Sequence, residues 1–329
     1  MTAATERSAL ICIDALNAAQ QPRCSPLYSV MSMANTLESS RQAWVIRGQS
    51  RSRRVVSWPT WFARNTGEKP MLYLHTAASS AQLRALSGET RQRGILCNDS
   101  ATLPSPSLPL WLAGNPQCTP YDPASGAETR AIVLAGLQTL YVEGKPGFFY
   151  LALHDQHDGP GLSPQDRDDA LKGMYRVRRS YTSELRVRLL GAGRAFEEVV
   201  HAARLLELDW NIEAQLWSCP SYTQLAREAQ AAQRWNRLHP LAPKRSCHLR
   251  DCLGGNAAPV IAVTGYPQPI VDQLAAHVDA RFVPLGAGSV EASAPSRYWI
   301  ATLALKALAD DGCIEAEHVE TALHRYHLK

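Results

Sequence analysis

The feature of this chain that most constrains its fold is the alternation of short apolar runs with helical periodicity that begins near residue 183 and continues to the end of its 329 residues. Leu185, Val187 and Leu189 alternate as strand residues do, and Gly191 and Gly193 follow them. Phe196, Val199, Val200 and Ala203 then recur at i, i+3, i+4 and i+7, which is one face of a helix. The same rhythm predicts strands over 212–217 and 260–263, and helices over 224–235, 270–278, 298–308 and 315–326. Strands that take turns with helices need crossover connections, so the expected class is α/β with largely parallel sheets flanked by helices.

The first half is less regular. Residues 1–69 are basic and rich in Ser, Arg and Trp, with little periodicity, and no element is assigned there. From 70 to 153 strands are expected over 71–75, 94–97 and 148–153, and helices over 79–90 and 128–141, the latter opened by a polar cap at Ser125. Pro104, Pro106 and Pro109 argue against a regular helix over 103–109. Turn residues and charge mark 161–182 as a linker. The expected organisation is therefore one α/β domain over 1–160 and a second over 183–329.

Composition excludes some classes. A net charge of +4 is too small for a dedicated nucleic-acid binder. The excess gathers in Arg47, Arg51, Arg53, Arg54 and Arg64, which read as a solvated or partner-facing surface. No apolar run reaches the roughly 18 residues of a membrane span, and Glu6 with a short apolar stretch does not make a signal peptide. The eight cysteines form no C-x-x-C pair. Cys247-His248 with Cys252 is a fragment of a metal site without a second ligand pair, so no metal is assigned and reduced thiols in the cytoplasm are expected.

Several strings carry a resemblance. They are Leu189-Leu190-Gly191-Ala192-Gly193, Trp217-Ser218, Ser221-Tyr222-Thr223-Gln224-Leu225-Ala226-Arg227 and, most specific, Gln233-Arg234-Trp235-Asn236-Arg237-Leu238-His239-Pro240. Ala262-Val263-Thr264-Gly265-Tyr266 and residues 282–286 follow in step. Upstream, Cys118-Thr119-Pro120-Tyr121-Asp122-Pro123 and Gly136-Leu137-Gln138-Thr139-Leu140-Tyr141 continue it, with Arg93-Gly94 and Ser57-Trp58 as weaker anchors. Together they make the chain, from about residue 45 to its end, resemble the central and C-terminal domains of the bacterial homodimeric-type pyruvate dehydrogenase decarboxylating component. The resemblance implies two transketolase-like domains, a pyrimidine-binding type and the transketolase C-terminal type. It also implies thiamine diphosphate and Mg²⁺ as cofactors of the complete enzyme.

Such chemistry asks the protein to hold a diphosphate through a divalent ion, to activate an aminopyrimidine with a carboxylic acid, and to offer acid and base groups. The family's Gly-Asp-Gly diphosphate motif is absent here; Asp310-Asp311-Gly312 lies between two expected helices and is no substitute. Counted back from Ser57-Trp58, the family's glutamates fall on Arg47 and Arg51. A guanidinium stays protonated and cannot relay a proton. In a shifted register, Glu38 or Glu68 could take that role. The family's Gly- and His-rich loop after Gly94 is replaced by Asn98-Asp99-Ser100-Ala101-Thr102-Leu103-Pro104-Ser105-Pro106-Ser107, its aromatic pocket segment by His75-Thr76-Ala77-Ala78-Ser79-Ser80, and a late Asp-rich loop by residues 286–293.

Other residues have plain readings. His154 and His157 read as a solvated turn. Gly191-x-Gly193 lacks the third glycine of a dinucleotide site and reads as a tight strand-to-helix turn. Ser218 and Ser221 lack a nucleophile-elbow context, and His239 reads as a packed structural histidine. No catalytic, cofactor-binding or metal residue is therefore assigned. The expected function is an auxiliary, non-catalytic subunit. It would pair as a homodimer or with a second subunit that carries the diphosphate-binding domain. The alternative is a half-enzyme that decarboxylates a 2-oxo acid, or transfers its two-carbon unit, with such a partner.

Overall fold

Six consecutive apolar residues with no polar alternation, Phe148–Leu153, suit a strand covered on both faces, and all six are buried as β5 of a parallel sheet. The structure is a computed structural model that describes residues 2–19, 23–47, 69–75, 93–99, 107–156, 159–177, 186–288 and 294–328. The chain divides into two units, Met1–Leu162 and Ser163–Lys329.

In the first unit β1 (Trp44–Arg47), β2 (Met71–His75), β3 (Gly94–Asp99), β4 (Cys118–Tyr121) and β5 form one sheet in the order β1-β2-β3-β5-β4. All its described pairings are parallel. β4 holds Pro120, which lacks the N–H a central strand must donate, and accordingly β4 is an edge. Two helices precede the sheet where no element was expected: α1 (Ala3–Ala18) and α2 (Pro26–Ser40). α1 buries Thr5, Ala9, Cys12 and Leu16, a helical spacing disguised by small and polar side chains. α2 has a readable start, since Ser25 Oγ accepts the Tyr28 N–H at 3.2 Å and Pro26 sits where a missing N–H costs nothing.

α3 (Ser107–Gly114) corrects the expectation that prolines forbid a helix before residue 110. Pro109 lies in its first turn, where backbone N–H groups have no intrahelical partner. α4 (Gly126–Leu137) runs into a π-helical turn, Gln138–Val142. That turn places Tyr141 so that its hydroxyl accepts the Met71 N–H at 3.1 Å and donates to the Arg93 carbonyl at 2.7 Å, tying it to β2 and the start of β3. Gly126 is required by close approach: a Cβ there would meet Cys24 Sγ at 2.6 Å and the Cys24 carbonyl at 2.7 Å. The helix expected over 79–90 lies outside the described residues.

The second unit begins inside the segment expected to be a linker. A 3₁₀ turn Pro164–Asp166, α5 (Arg167–Lys172) and β6 (Tyr175–Arg176) lie there. β6 is an antiparallel edge strand on β8 (Glu213–Ser218). The other strands, β7 (Arg186–Gly191), β9 (Val260–Pro267) and β10 (Phe282–Ala287), pair in parallel to give the order β10-β9-β7-β8-β6. α6 (Ala195–Trp210) and α10 (Arg297–Asp310) pack on this sheet, with Val187, Leu189, Val199, Ile261, Ala304 and Leu308 among the core residues they enclose. α7 (Tyr222–Leu238) and α8 (His248–Leu253) follow β8. The helix expected over 270–278 is only a short α9 (Pro269–Asp272) and a separate 3₁₀ turn, Ala275–His277. α11 (Glu317–Arg325) ends the fold. Among the described residues no helix is long and apolar enough to cross a membrane.

Candidate functional site

Open α/β sheets hold ligands outside the carboxyl ends of their strands. In the first unit that edge is formed by Arg47 on β1, His75 on β2, Asp99 on β3, Tyr121 on β4 and His154 just after β5. Arg47 is not idle there. Its Nε and Nη2 donate to the two carboxylate oxygens of Glu38 on α2, each at 3.1 Å, and Nη2 also reaches Asn35 Oδ1 at 2.9 Å. The two residues singled out in the sequence as rivals for one position are thus bonded to each other. Arg51, Ser57, Trp58 and Glu68 lie outside the described residues.

Several other polar groups near this edge are engaged in hydrogen bonds of the fold. His154 is buried at 5% exposure, which overturns its reading as a solvated turn. Its Nδ1 accepts the Gln156 N–H at 3.3 Å, so Nε2 carries the proton and donates to the Pro123 carbonyl at 3.1 Å. Asn98 is buried and donates to the Tyr150 hydroxyl at 2.9 Å. Asp155 accepts from Ser25 Oγ at 2.8 Å. Sequence reasoning missed Glu128, a fully buried carboxylate at the start of α4. With Ser125 it makes a variant of the capping box, shifted by one residue: Ser125 Oγ accepts the Glu128 N–H at 3.3 Å, and Glu128 Oε2 accepts the Ala124 N–H, just before the cap, at 2.6 Å. The Ser-x-x-Glu spacing was its signal. His157 lies outside the described residues.

In the second unit the connections from β7 leave in opposite directions, to β8 on one side and later to β9 on the other. At that reversal the described segments bond to one another. The Cys219 N–H donates to the Gly191 carbonyl at 2.8 Å, the Ala192 N–H to the Val263 carbonyl at 3.3 Å, and the Tyr222 hydroxyl to the same carbonyl at 3.1 Å. Gly191 has no room for a side chain, because a Cβ would lie 3.0 Å from Phe196 Cα, and Gly193 turns the chain at φ +48°. The Gly-x-Gly string is a strand-to-helix turn, as its spacing predicted. Ser218 is buried, and Ser221 caps α7 by accepting the Gln224 N–H at 3.2 Å.

A cavity of about 850 Å³ lies at the opposite, amino edge of this sheet, lined in part by Arg186, Asn256, Asp279, Arg281 and Cys313. Its charges are largely paired: Arg281 with Asp311 at 2.6 Å, and Asp279 with Arg250 at 3.4 Å. The Cys247, His248 and Cys252 group is compact. His248 Nε2 donates to the Met174 carbonyl at 2.8 Å, with Cys252 Sγ 3.5 Å from that nitrogen. Burial, followed by the charges of Asp169 and Asp251, pushes the Cys252 thiol up to about 12, so it is not a nucleophile at neutral pH. Among the described residues no group of three or more His, Cys, Asp or Glu is placed to hold a metal ion. His239 is exposed rather than packed in a core, yet it stacks on Trp235 with ring centroids 3.6 Å apart.

Comparison with known proteins agrees with the resemblance read from the sequence. Residues 173–297 match the family described as transketolase-like TK C-terminal domain. A pyruvate dehydrogenase E1 component of Cupriavidus necator is 36% identical over 232 residues, covering 67% of this chain and 26% of that protein. Its counterpart in Pseudomonas aeruginosa is 30% identical over 300 residues, covering 81% of this chain and 34% of that protein. The chain therefore spans about a quarter to a third of these relatives' length. A solved structure described as split gene transketolase, inactive beta4 tetramer, superposes with a TM-score of 0.55 at 14% identity, over 88% of this chain and 99% of that one. Transketolase from Leishmania mexicana gives 0.54 at 13% identity, over 97% of this chain and 49% of that one. These two likenesses establish a transketolase-like fold.

Proposed function

We propose, from a chain similar over most of its length to bacterial pyruvate dehydrogenase E1 components, that this protein is an auxiliary subunit that works through contacts with another chain and does not itself turn over a 2-oxo acid. The observation that carries the reading is the Arg47–Glu38 pair at the carboxyl end of β1. Activating an aminopyrimidine takes an ionisable acid that can hold and release a proton. A guanidinium is charged at every working pH, and here it also occupies both oxygens of the nearest described carboxylate. Asn98 on β3 and His154 after β5, further along the same edge, are likewise committed to Tyr150 and to the Pro123 carbonyl. Arg47, Glu38, Asn98 and His154, bonded as they are here, therefore do not suit the acid–base role that thiamine diphosphate requires. The eight free thiols suit a reducing compartment, and the cytoplasm is the proposed location.

A second reading is favoured by one comparison. The split-gene transketolase chain is covered over 99% of its length and is described as inactive in its own tetramer. By analogy, this chain would be a half-enzyme that gains activity from a partner bearing a Gly-Asp-Gly motif. Titration calorimetry with thiamine diphosphate and Mg²⁺, on the chain alone and mixed with such a partner, separates the two. The auxiliary reading expects no heat of binding in either arm. Binding in the mixture together with pyruvate turnover would overturn it in favour of the half-enzyme.

A further inference from the structure

α7 ends in a clamped, solvent-facing loop. The Arg245 guanidinium lies 3.4 Å from the centroid of the Trp235 ring, which also stacks on His239 at 16° from parallel. Asn236 closes the loop in both directions: its Nδ2 donates to the Arg245 carbonyl at 3.0 Å, and the Arg245 N–H donates to its Oδ1 at 2.8 Å. The His239 N–H and Nδ1 both donate to the Trp235 carbonyl, at 2.9 and 3.0 Å. Held this way, the loop exposes Leu241 completely, at 100%, and Leu238 at 64%. Single exposed leucines are ordinary on protein surfaces. Here Leu238 ends α7 and Leu241 stands on the clamped loop that follows, so both are pre-organised and a partner that covers them loses little further entropy.

The charge around these leucines is one-sided. Arg234, Arg237, Lys244 and Arg245 are all exposed. Between residues 227 and 251 the carboxylates are Glu228 and Asp251, and both are engaged, Glu228 by the His248 N–H at 3.1 Å and Asp251 by the Ser246 hydroxyl. We infer that this loop is a docking surface for an acidic polypeptide segment that carries an apolar side chain. The leucines supply the apolar contact and the four cations select the charge of the partner. The Trp235 ring is already in contact with an imidazole and a guanidinium, so it offers no platform on which a nucleic-acid base could stack.

The test is selection of a displayed random dodecapeptide library on the full chain, followed by calorimetry with the enriched peptides. The expected peptides combine Asp or Glu with Leu, Ile or Phe. Their affinity should fall about tenfold or more with Leu241→Ser and with Arg237→Glu, and should weaken as salt is raised. Both side chains are exposed, so the thermal midpoint of each variant should match that of the parent, which separates lost docking from lost folding. No enrichment, enriched peptides without acidic residues, or an affinity unchanged from the parent in both variants would overturn the inference. So would flotation with phosphatidylcholine–phosphatidylserine vesicles that depends on Leu241, since it would assign the surface to a membrane.

Discussion

Arg297 grips Glu198 with three donors: its backbone N–H at 2.7 Å and Nε at 3.0 Å to one carboxylate oxygen, and Nη2 at 2.6 Å to the other. The contact joins the first turn of α6 to the first residue of α10. Burial would push the Glu198 carboxyl up, but the side-chain and backbone hydrogen bonds from Arg297 and its charge outweigh that and hold it below the ordinary carboxylate range. A carboxyl lowered in the folded state contributes stability that is present above its unfolded value and lost as pH falls through the folded one. The pair is about a third exposed, so its worth is discounted to about 1 kcal/mol. Glu198→Gln should lower the thermal midpoint by roughly 2–4 °C at pH 7. The difference should shrink as pH falls through the lowered folded value of the parent carboxyl, below which the parent is also protonated. Differential scanning calorimetry across that range checks both parts.

Arg188 is 1% exposed, and the structure gives it backbone oxygens as partners: Leu253 at 2.6 Å, Asn256 at 3.0 Å and Ala258 at 3.0 Å. Burial lowers its guanidinium to about 10, which still leaves it protonated at neutral pH. Arg188→Met keeps the apolar stem and removes every donor, leaving buried carbonyls without partners. The expected loss is about 3 kcal/mol or more, read as a lower urea midpoint for the second unit. Retained stability would mean that the loop can re-satisfy its carbonyls with water.

At Gly191 a side chain has nowhere to go, since a Cβ would meet Phe196 Cα at 3.0 Å and Val199 Cγ2 at 3.1 Å. The first contact is backbone of α6 and cannot swing aside. Gly191→Ala should therefore cost about 1–3 kcal/mol by overpacking. Gly255→Ala gives a useful contrast, because nothing lies within 4 Å of its Cβ position and only the strain of φ +71° opposes it, at about 1 kcal/mol. Urea denaturation of the two variants should rank them in that order.

Thiol reactivity should be confined to one site. Cys313 is exposed and Cys252 half-buried, while Cys12, Cys24, Cys97, Cys118, Cys219 and Cys247 are buried. Burial pushes the Cys12 thiol up to about 11 and Cys252 up to about 12, so neither offers a thiolate at neutral pH. A disulfide reagent such as dithiobis(nitrobenzoate) should label the native chain once and quickly, and Cys313→Ser should abolish that fast phase. Denaturant should release all eight.

Much of the second unit was legible because its signals are local. The alternation at Val187 and Leu189 and the helical face of Phe196, Val199 and Ala203 depend only on near neighbours, and both elements formed where the pattern placed them. The Gly191–Gly193 turn was equally readable from spacing. The first unit shows the limit of such signals. α1 packs through Thr5, Ala9 and Cys12, which carry helical spacing but little apolar contrast. α3 tolerates Pro109 because a first turn needs no N–H there.

The amino-acid sequence by itself determined the α/β class and the family resemblance, because these rest on residue type and on spacing within a turn or a strand. Only the tertiary structure decided that Arg47 would bond Glu38, that His154 would be buried against the Pro123 carbonyl, and that Leu238 and Leu241 would stand in solvent. The physical reason is that burial and partner choice belong to pairs of segments. Which of two chemically similar groups is desolvated follows from the strand order and crossover paths that bring distant parts of the chain together, and no local window contains that information.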